Sequence, residues 1–182
     1  MNNLDSRIFE FLYSLSNQSG PLDVLFVFLA KSLPWIITLW AIWLIFMKKD
    51  WGNNVSRWKN RFQYLALGFI SVVISRGIVA NTLHAVMNSP RPFAALNLEP
   101  LVDHAAFGSF PSGHMSFLVP IVLLLFLVSK RAGWWALVLT LLVGISRIIV
   151  GVHWPLDILG GIGVGIFSFL LVRLLFQKKK LI

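Results

Sequence analysis

The stretch AGWWALVLTLLVGISRIIVGVHWPLDILGGIGVGIFSFLLVRLLF, residues 132–176, decides the fold. Two apolar runs, 132–150 and 156–176, flank a short turn, and each comes close to the roughly 20 helical residues that cross a bilayer core. In lipid every backbone N–H and C=O must be satisfied within its own segment, so runs of this length read as transmembrane helices. Ser146, Arg147, His153 and Asp157 nevertheless cluster around the turn of this hairpin. Ionisable groups at such depth are costly and mark functional positions by default.

Working outward, the chain repeats the theme. A run at 114–129 and another at 62–86 are each apolar, and a longer stretch from Pro21 to Met47 is broken by Lys31 and Pro34. We read that stretch as one tilted or kinked span. The expectation is an all-α polytopic membrane bundle of five spans, or six if the break near Pro34 separates two. Residues 4–16 set Ile8, Phe9, Phe11, Leu12 and Leu15 among polar residues, a pattern that suits a short helix lying in the interface. No internal repeat or low-complexity linker divides the chain, so a single domain over 1–182 is expected.

Composition agrees. Of 182 residues, 57% are hydrophobic and 13% charged, with mean hydropathy +0.78, which excludes an ordinary water-soluble globule. Asp5, Arg7 and Glu10 interrupt the first residues, so no cleavable signal is expected. The absence of cysteine excludes disulfides, iron–sulfur clusters and thiol nucleophiles. The net charge of +9 comes mostly from three sets of cations: Lys48, Lys49, Arg57, Lys59 and Arg61; Lys130 and Arg131; and Arg173, Lys178, Lys179 and Lys180. These follow spans one, three and five, so the positive-inside rule puts all three in the cytoplasm with the C-terminus. Topology and anionic headgroups account for the charge, and nucleic acid is not an expected partner. The N-terminus, residues 87–113 and the turn at His153 then face outward. Trp35, Trp51, Trp58, Trp134 and Trp154, near span ends, read as interfacial anchors.

Three short motifs occur in order: Arg91-Pro92, Pro111-Ser112-Gly113-His114, and Ser146-Arg147 followed by His153 and Asp157. Arg91 and Arg147 offer planar forks of donors suited to a phosphate dianion. Ser112 and Gly113 immediately precede a span, where a hydroxyl and the first free helix amides converge on an anion, and glycine permits close backbone approach. Pro155 opens the last span and aims a second positive helix end at the same region. His153 and Asp157, four residues apart, are spaced so that the carboxylate accepts from one ring nitrogen and leaves the other free to attack. His104 reads equally as a satisfied polar residue or a site residue. Four histidines with Asp103 and Asp157 raise the question of zinc, but no His-x-x-x-His or similar pair occurs, and no metal or other cofactor is expected.

Taken together, the three motifs resemble the signature of the type 2 phosphatidic acid phosphatase family, over roughly residues 84–157. The resemblance implies a membrane lipid phosphatase in which His153 attacks phosphorus to form a phosphohistidine, Asp157 orients it, and His114 protonates the leaving group. Arg91, Arg147, Ser112 and Gly113 would then stabilise the equatorial phosphoryl oxygens. The family's first motif has a lysine seven residues before the arginine of its Arg-Pro pair. Here that position is His84, a candidate phosphate ligand whose charge fades through neutral pH. Within the family, His104-Ala105-Ala106 followed by Ser109-Phe110-Pro111-Ser112 resembles the bacterial undecaprenyl pyrophosphate phosphatases, except that Gly113 stands where those enzymes often carry aspartate.

The implied function is hydrolysis of undecaprenyl diphosphate to the monophosphate at the outer face of the bacterial cytoplasmic membrane. A phosphatase acting on phosphatidylglycerophosphate or phosphatidic acid is the alternative with the same residues. A catalytically silent lipid-binding or lipid-moving protein is the alternative of another class. Arg76 and Lys31, inside expected spans, read as snorkelling or bundle-pairing residues at least as readily as functional ones. Gly160, Gly161, Gly163 and Gly165 read as a close helix-packing face. Phe93, Phe107 and Phe110 read as ordinary packing or as walls of a lipid entrance.

Overall fold

The computed structural model describes residues 3–48 and 54–178. Lys49, Trp51, Lys179 and Lys180 lie outside the described residues. The described chain is helical, with no named strand: α1 (Asn3–Tyr13), α2 (Gly20–Lys31), α3 (Leu33–Met47), α4 (Asn54–Val72), a π-helical segment (Val73–Ala80), α5 (Asn81–Met87), α6 (Pro92–Ala95), α7 (Gly113–Val128), α8 (Lys130–Ile149) and α9 (Pro155–Lys178). Three continuous helices have the length and hydropathy of membrane spans: Val55–Met87, Lys130–Ile149 and Pro155–Lys178. Helices α2 and α3 meet at a 46° bend and make up to a fourth, while α7, with 16 residues, is a shorter apolar helix.

The bend lies where the sequence breaks. Pro34 sits in the first turn of α3, where its missing N–H costs nothing, and Lys31 ends α2, exposed at the corner rather than inside a span. The helix expected to begin near residue 62 instead begins at Asn54. Its 33 residues from Val55 would extend about 50 Å at 1.5 Å per residue. That exceeds a hydrocarbon core of about 30 Å, so polar helix formers continue the helix beyond it. Arg57, Lys59 and Arg61 therefore lie on the first turns of α4 and not in a loop. Arg61 donates to the carbonyl of Phe46 near the end of α3, and Lys48 to that of Val128 at the end of α7, so cations satisfy C-terminal carbonyls.

Helix α7 is central and packs against α8, α9, α4, α3 and the π segment. Its Met115, Leu118 and Leu125 are fully buried. Where lipid surrounds a bundle, close packing holds helices together more than apolar burial does. Helix α9 approaches α7 through small residues: a Cβ at Gly161 would lie 2.5 Å from the Ser112 carbonyl oxygen, and one at Gly165 would lie 2.6 Å from Val119 Cβ. Gly160 faces the ring of Phe110. Gly163 departs from the expected packing face, since nothing lies within 4 Å of a Cβ there. Its direction follows from the helical period: 163 points away from the side shared by 161 and 165.

Helix α1 does more than float at a surface. Phe9 is fully buried, stacking on Tyr13 and packing 5.0 Å from the Trp154 ring. Asp5 accepts from Leu156 N at 2.9 Å and caps the start of α9, and the Tyr13 hydroxyl donates to the Glu99 carbonyl at 2.8 Å. Trp154, expected at the interface, is instead a core residue, and its indole N–H reaches the Pro90 carbonyl. A Trp on the five-residue turn between α8 and α9 has nowhere to go but inward once α1 covers it. Trp35, Trp58 and Trp134 are exposed, as anchors would be.

The glycine geometry yields a paired prediction. Gly161→Leu should lower the thermal midpoint in detergent by overpacking the α7–α9 contact, a cost of about 1–3 kcal/mol. Gly163→Ala should be neutral or slightly stabilising, because it meets open space and improves helix propensity.

Candidate active site

The site forms where the first turns of α7 and α9, the last turn of α8 and the loop around α6 meet. A cavity of about 220 Å³ opens there. Its polar wall comprises Arg76, His84, Arg91, His104, His114 and His153, with Gly113 between them, and its apolar wall comprises Pro34, Trp35 and Phe117.

Arg91 is the N-cap of α6 and is nearly buried. Its main-chain N–H donates to Ala106 O at 2.9 Å, which ties the two ends of the loop together. One guanidinium nitrogen, Nη1, donates to the Val152 carbonyl at 2.8 Å, and Nη2 donates to the Gly108 carbonyl at 3.0 Å. Nη1 also lies 3.4 and 3.3 Å from the two ring nitrogens of His153. Being nearly equidistant, it rests against the ring rather than bonding one nitrogen.

His153 is buried at the turn between α8 and α9. Burial, followed by the nearby charges of Arg147 and Arg91, holds its imidazole well below the usual histidine range, so the ring is neutral at working pH. Its Nδ1 faces Asp157 Oδ2 at 3.4 Å, across the four-residue spacing expected from sequence. That carboxylate oxygen has shorter commitments. It accepts from Ser109 Oγ at 2.5 Å and from Trp154 N at 2.8 Å, while the Asp157 carbonyl accepts from Ser112 N at 2.8 Å. Asp157 thus pins three segments, the 109–112 loop, the 153–154 turn and the α9 start, into one unit.

Ser112 is the N-cap of α7 and Gly113 and His114 are its first residues. Ser112 is fully buried and its Oγ has no protein partner. Arg147, near the end of α8, is also buried, and its Nε and Nη2 have no protein partner, as has Arg91 Nε. Buried donors are nearly always paired, so unpaired ones on three residues of one neighbourhood fit a phosphate better than any structural task. Arg147, Ser112 and Asp157 are not among the lining residues of the cavity, whereas Arg91, His114 and His153 are.

The two secondary histidines also reach the cavity. His84 Nε2 lies 2.6 Å from the Pro111 carbonyl, and because a carbonyl only accepts, that nitrogen carries the proton. His104 stands 6.4 Å, ring to ring, from His153. Burial, then the charges of Arg91 and Arg147, lowers its pKa to about 4, so it offers a neutral donor or acceptor rather than a cation. Among the described residues no group of three His, Cys, Asp or Glu is placed to share a metal ion.

Two participants are not among the site residues expected from sequence. Ser109 reaches Asp157 across 48 residues, a contact no local pattern announces. Arg76 lines the cavity, and the signal for it was present, namely a cation within an apolar run.

Comparison with known proteins places this arrangement. Undecaprenyl-diphosphatase BcrC of Bacillus subtilis (strain 168) is 33% identical over 174 residues, covering 93% of this chain and 83% of that protein. The crystal structure of Aquifex aeolicus LpxE superposes with a TM-score of 0.70 at 22% identity, covering 93% of this chain and 94% of the other. The structure of the first transmembrane PAP2 type phosphatidylglycerolphosphate phosphatase from Bacillus subtilis superposes with a TM-score of 0.64 at 25% identity, covering 96% and 85%. A family model described as the PAP2 superfamily matches residues 65–181, which take in every motif and the whole α7–α9 core, and the chain therefore belongs to the PAP2 superfamily of membrane lipid phosphatases.

Proposed function

We propose that this chain hydrolyses undecaprenyl diphosphate to undecaprenyl phosphate and inorganic phosphate at the outer face of the cytoplasmic membrane, through a phosphohistidine. One observation carries the reading: a buried imidazole at His153 lies against the Arg91 guanidinium in a cavity that His114 also lines. Phe117 is shared with a second, apolar cavity of about 310 Å³ between α3, α4 and α7, lined by Ile42, Leu65, Phe69 and Leu124 among others. A polar pocket with an apolar one on the other side of a shared residue suits a phosphate headgroup with a long hydrocarbon tail. The name carried by the Bacillus relative supports the choice of lipid.

In the mechanism, His153 Nε2 attacks the terminal phosphorus as the bridging P–O bond breaks. His114 gives a proton to the departing lipid phosphate. Asp157 holds the Nδ1 side of His153, and Arg91 and Arg147, with Ser112 and Gly113 at the α7 amino end, stabilise the equatorial oxygens. Water, deprotonated by His114, then attacks phosphorus, and phosphate leaves with the imidazole restored. No step requires a metal. Outward orientation follows from the cationic sets at the opposite ends of the spans. The alternative substrates are glycerophospholipids, as in the Bacillus phosphatidylglycerolphosphate phosphatase of like fold.

Two measurements test the reading. His153→Ala should abolish phosphate release while the protein still inserts in the membrane. His114→Ala should slow release by roughly 10²- to 10⁴-fold, as loss of a general acid does. Undiminished turnover in either variant would remove that residue from the mechanism. A phosphate-release panel should favour polyprenyl diphosphate over phosphatidylglycerophosphate, phosphatidate and lipid A diphosphate, with and without chelator. In right-side-out vesicles the phosphate should appear outside. Far faster release from the glycerophospholipids would transfer the assignment to the alternative, and abolition by chelator would contradict the metal-free route.

A further inference from the structure

Arg76 belongs to no sequence motif, yet it reaches the cavity from the one irregular stretch of a long helix. The π-helical segment Val73–Ala80 interrupts the run between α4 and α5. Such wider turns rotate side chains off the faces an α-helix would give them and recur at functional sites. Ser75 pins the segment to α7, its Oγ donating to Ser116 O at 2.6 Å. The neighbouring Arg76 is thereby laid across the amino end of α7: a Cβ at Gly113 would lie 2.6 Å from Arg76 Nε and 3.0 Å from Cζ. Only a residue without a side chain at 113 leaves room for this guanidinium.

The fork is steered by a neutral group. Asn81 Oδ1 accepts from Nη1, and Asn81 in turn donates to the Gly77 carbonyl at 3.0 Å. No carboxylate partners Arg76 among the described residues, and its side chain lines the cavity without an anion of the protein's own. Its charge is felt in the site, where it adds to the effects that keep His104 neutral.

Position assigns the task. In-line phosphoryl transfer sets the nucleophile and the leaving oxygen on opposite sides of phosphorus. Arg91 rests against the nucleophile His153, whereas Arg76 covers Gly113, the residue next to the proton donor His114. Arg76 therefore enters the cavity beside the amino end of α7, from which His114 also reaches it. When a phosphomonoester reacts, the charge that develops on the leaving alkoxide oxygen is met by the proton from His114, and no further anionic group lies beyond it for a second cation to bind. When a diphosphate reacts, the leaving group is itself a phosphate whose charge grows as the bridging bond breaks.

We propose that Arg76 binds the second, non-transferred phosphate of a diphosphate lipid and selects such lipids over phosphomonoesters. This rests on the His153 reading above. It concerns phosphate number, not tail identity, so the test uses matched pairs: polyprenyl diphosphate against polyprenyl monophosphate, and diacylglycerol diphosphate against phosphatidate. Arg76→Gln should lower kcat/KM on both diphosphates by roughly 10- to 100-fold and on both monophosphates by about threefold or less. Arg76→Lys, which keeps charge but loses the fork, should recover part of the diphosphate loss. An unchanged thermal midpoint shows that the variants remain folded. Equal losses on the two members of a pair, or no loss on either, would overturn the proposal. Wild-type preference for diacylglycerol tails, with the Arg76 selectivity intact, would sink only the undecaprenyl assignment. A wild-type protein that turns over no diphosphate would overturn both.

Discussion

Two guanidinium groups, Arg91 and Arg147, are buried in the site, and Asp157 is the one buried carboxylate among the described residues. Desolvating a cation is expensive, and the neighbouring carbonyls of Val152 and Gly108 repay only part of that cost for Arg91. Arg147 keeps two nitrogens without any protein partner. A surplus of buried positive charge is tolerable in a fold whose working state includes a phosphate dianion. Burial first, and then the charges of Arg147 and Arg91, hold the His153 imidazole neutral, so an arrangement that suits an anion also leaves a ring lone pair for the nucleophilic role proposed above.

Everything else in the bundle serves to hold that surplus in place. The glycines of α9 let it lie against the Ser112 carbonyl and Val119, which brings Asp157 to the amino end of α7. Asp157 then bonds Ser109, Trp154 N and, through its carbonyl, Ser112 N. Helix α1 closes the arrangement from outside, with Asp5 on the α9 amide and Phe9 under Trp154. The carboxylate that faces His153 is a structural hub as well as the orienting group proposed for it.

Much of this was legible beforehand because it is local. Apolar runs of span length name the helices, and i to i+4 spacing names the His153–Asp157 pair. The order of three short motifs names the family. What escaped notice depends on packing between distant segments. Trp154 looks like an anchor until α1 is known to cover it, and Arg57 and Arg61 look like loop residues until α4 proves longer than the membrane. Arg76 was ambiguous for a sharper reason. A helical wheel drawn through residues 62–86 assumes one period, and the π turn breaks that period at the residue concerned.

The central claim is that the imidazole of His153 becomes covalently phosphorylated in a pocket shared with Arg91 and His114. The most direct measurement supplies polyprenyl diphosphate labelled in its terminal phosphate to His114→Ala protein and quenches within a turnover. The account predicts an alkali-stable, acid-labile phosphoryl group that maps to His153 and is missing when His153 is also replaced. Label on any other residue, or phosphate released with no covalent species at single-turnover resolution, would contradict it.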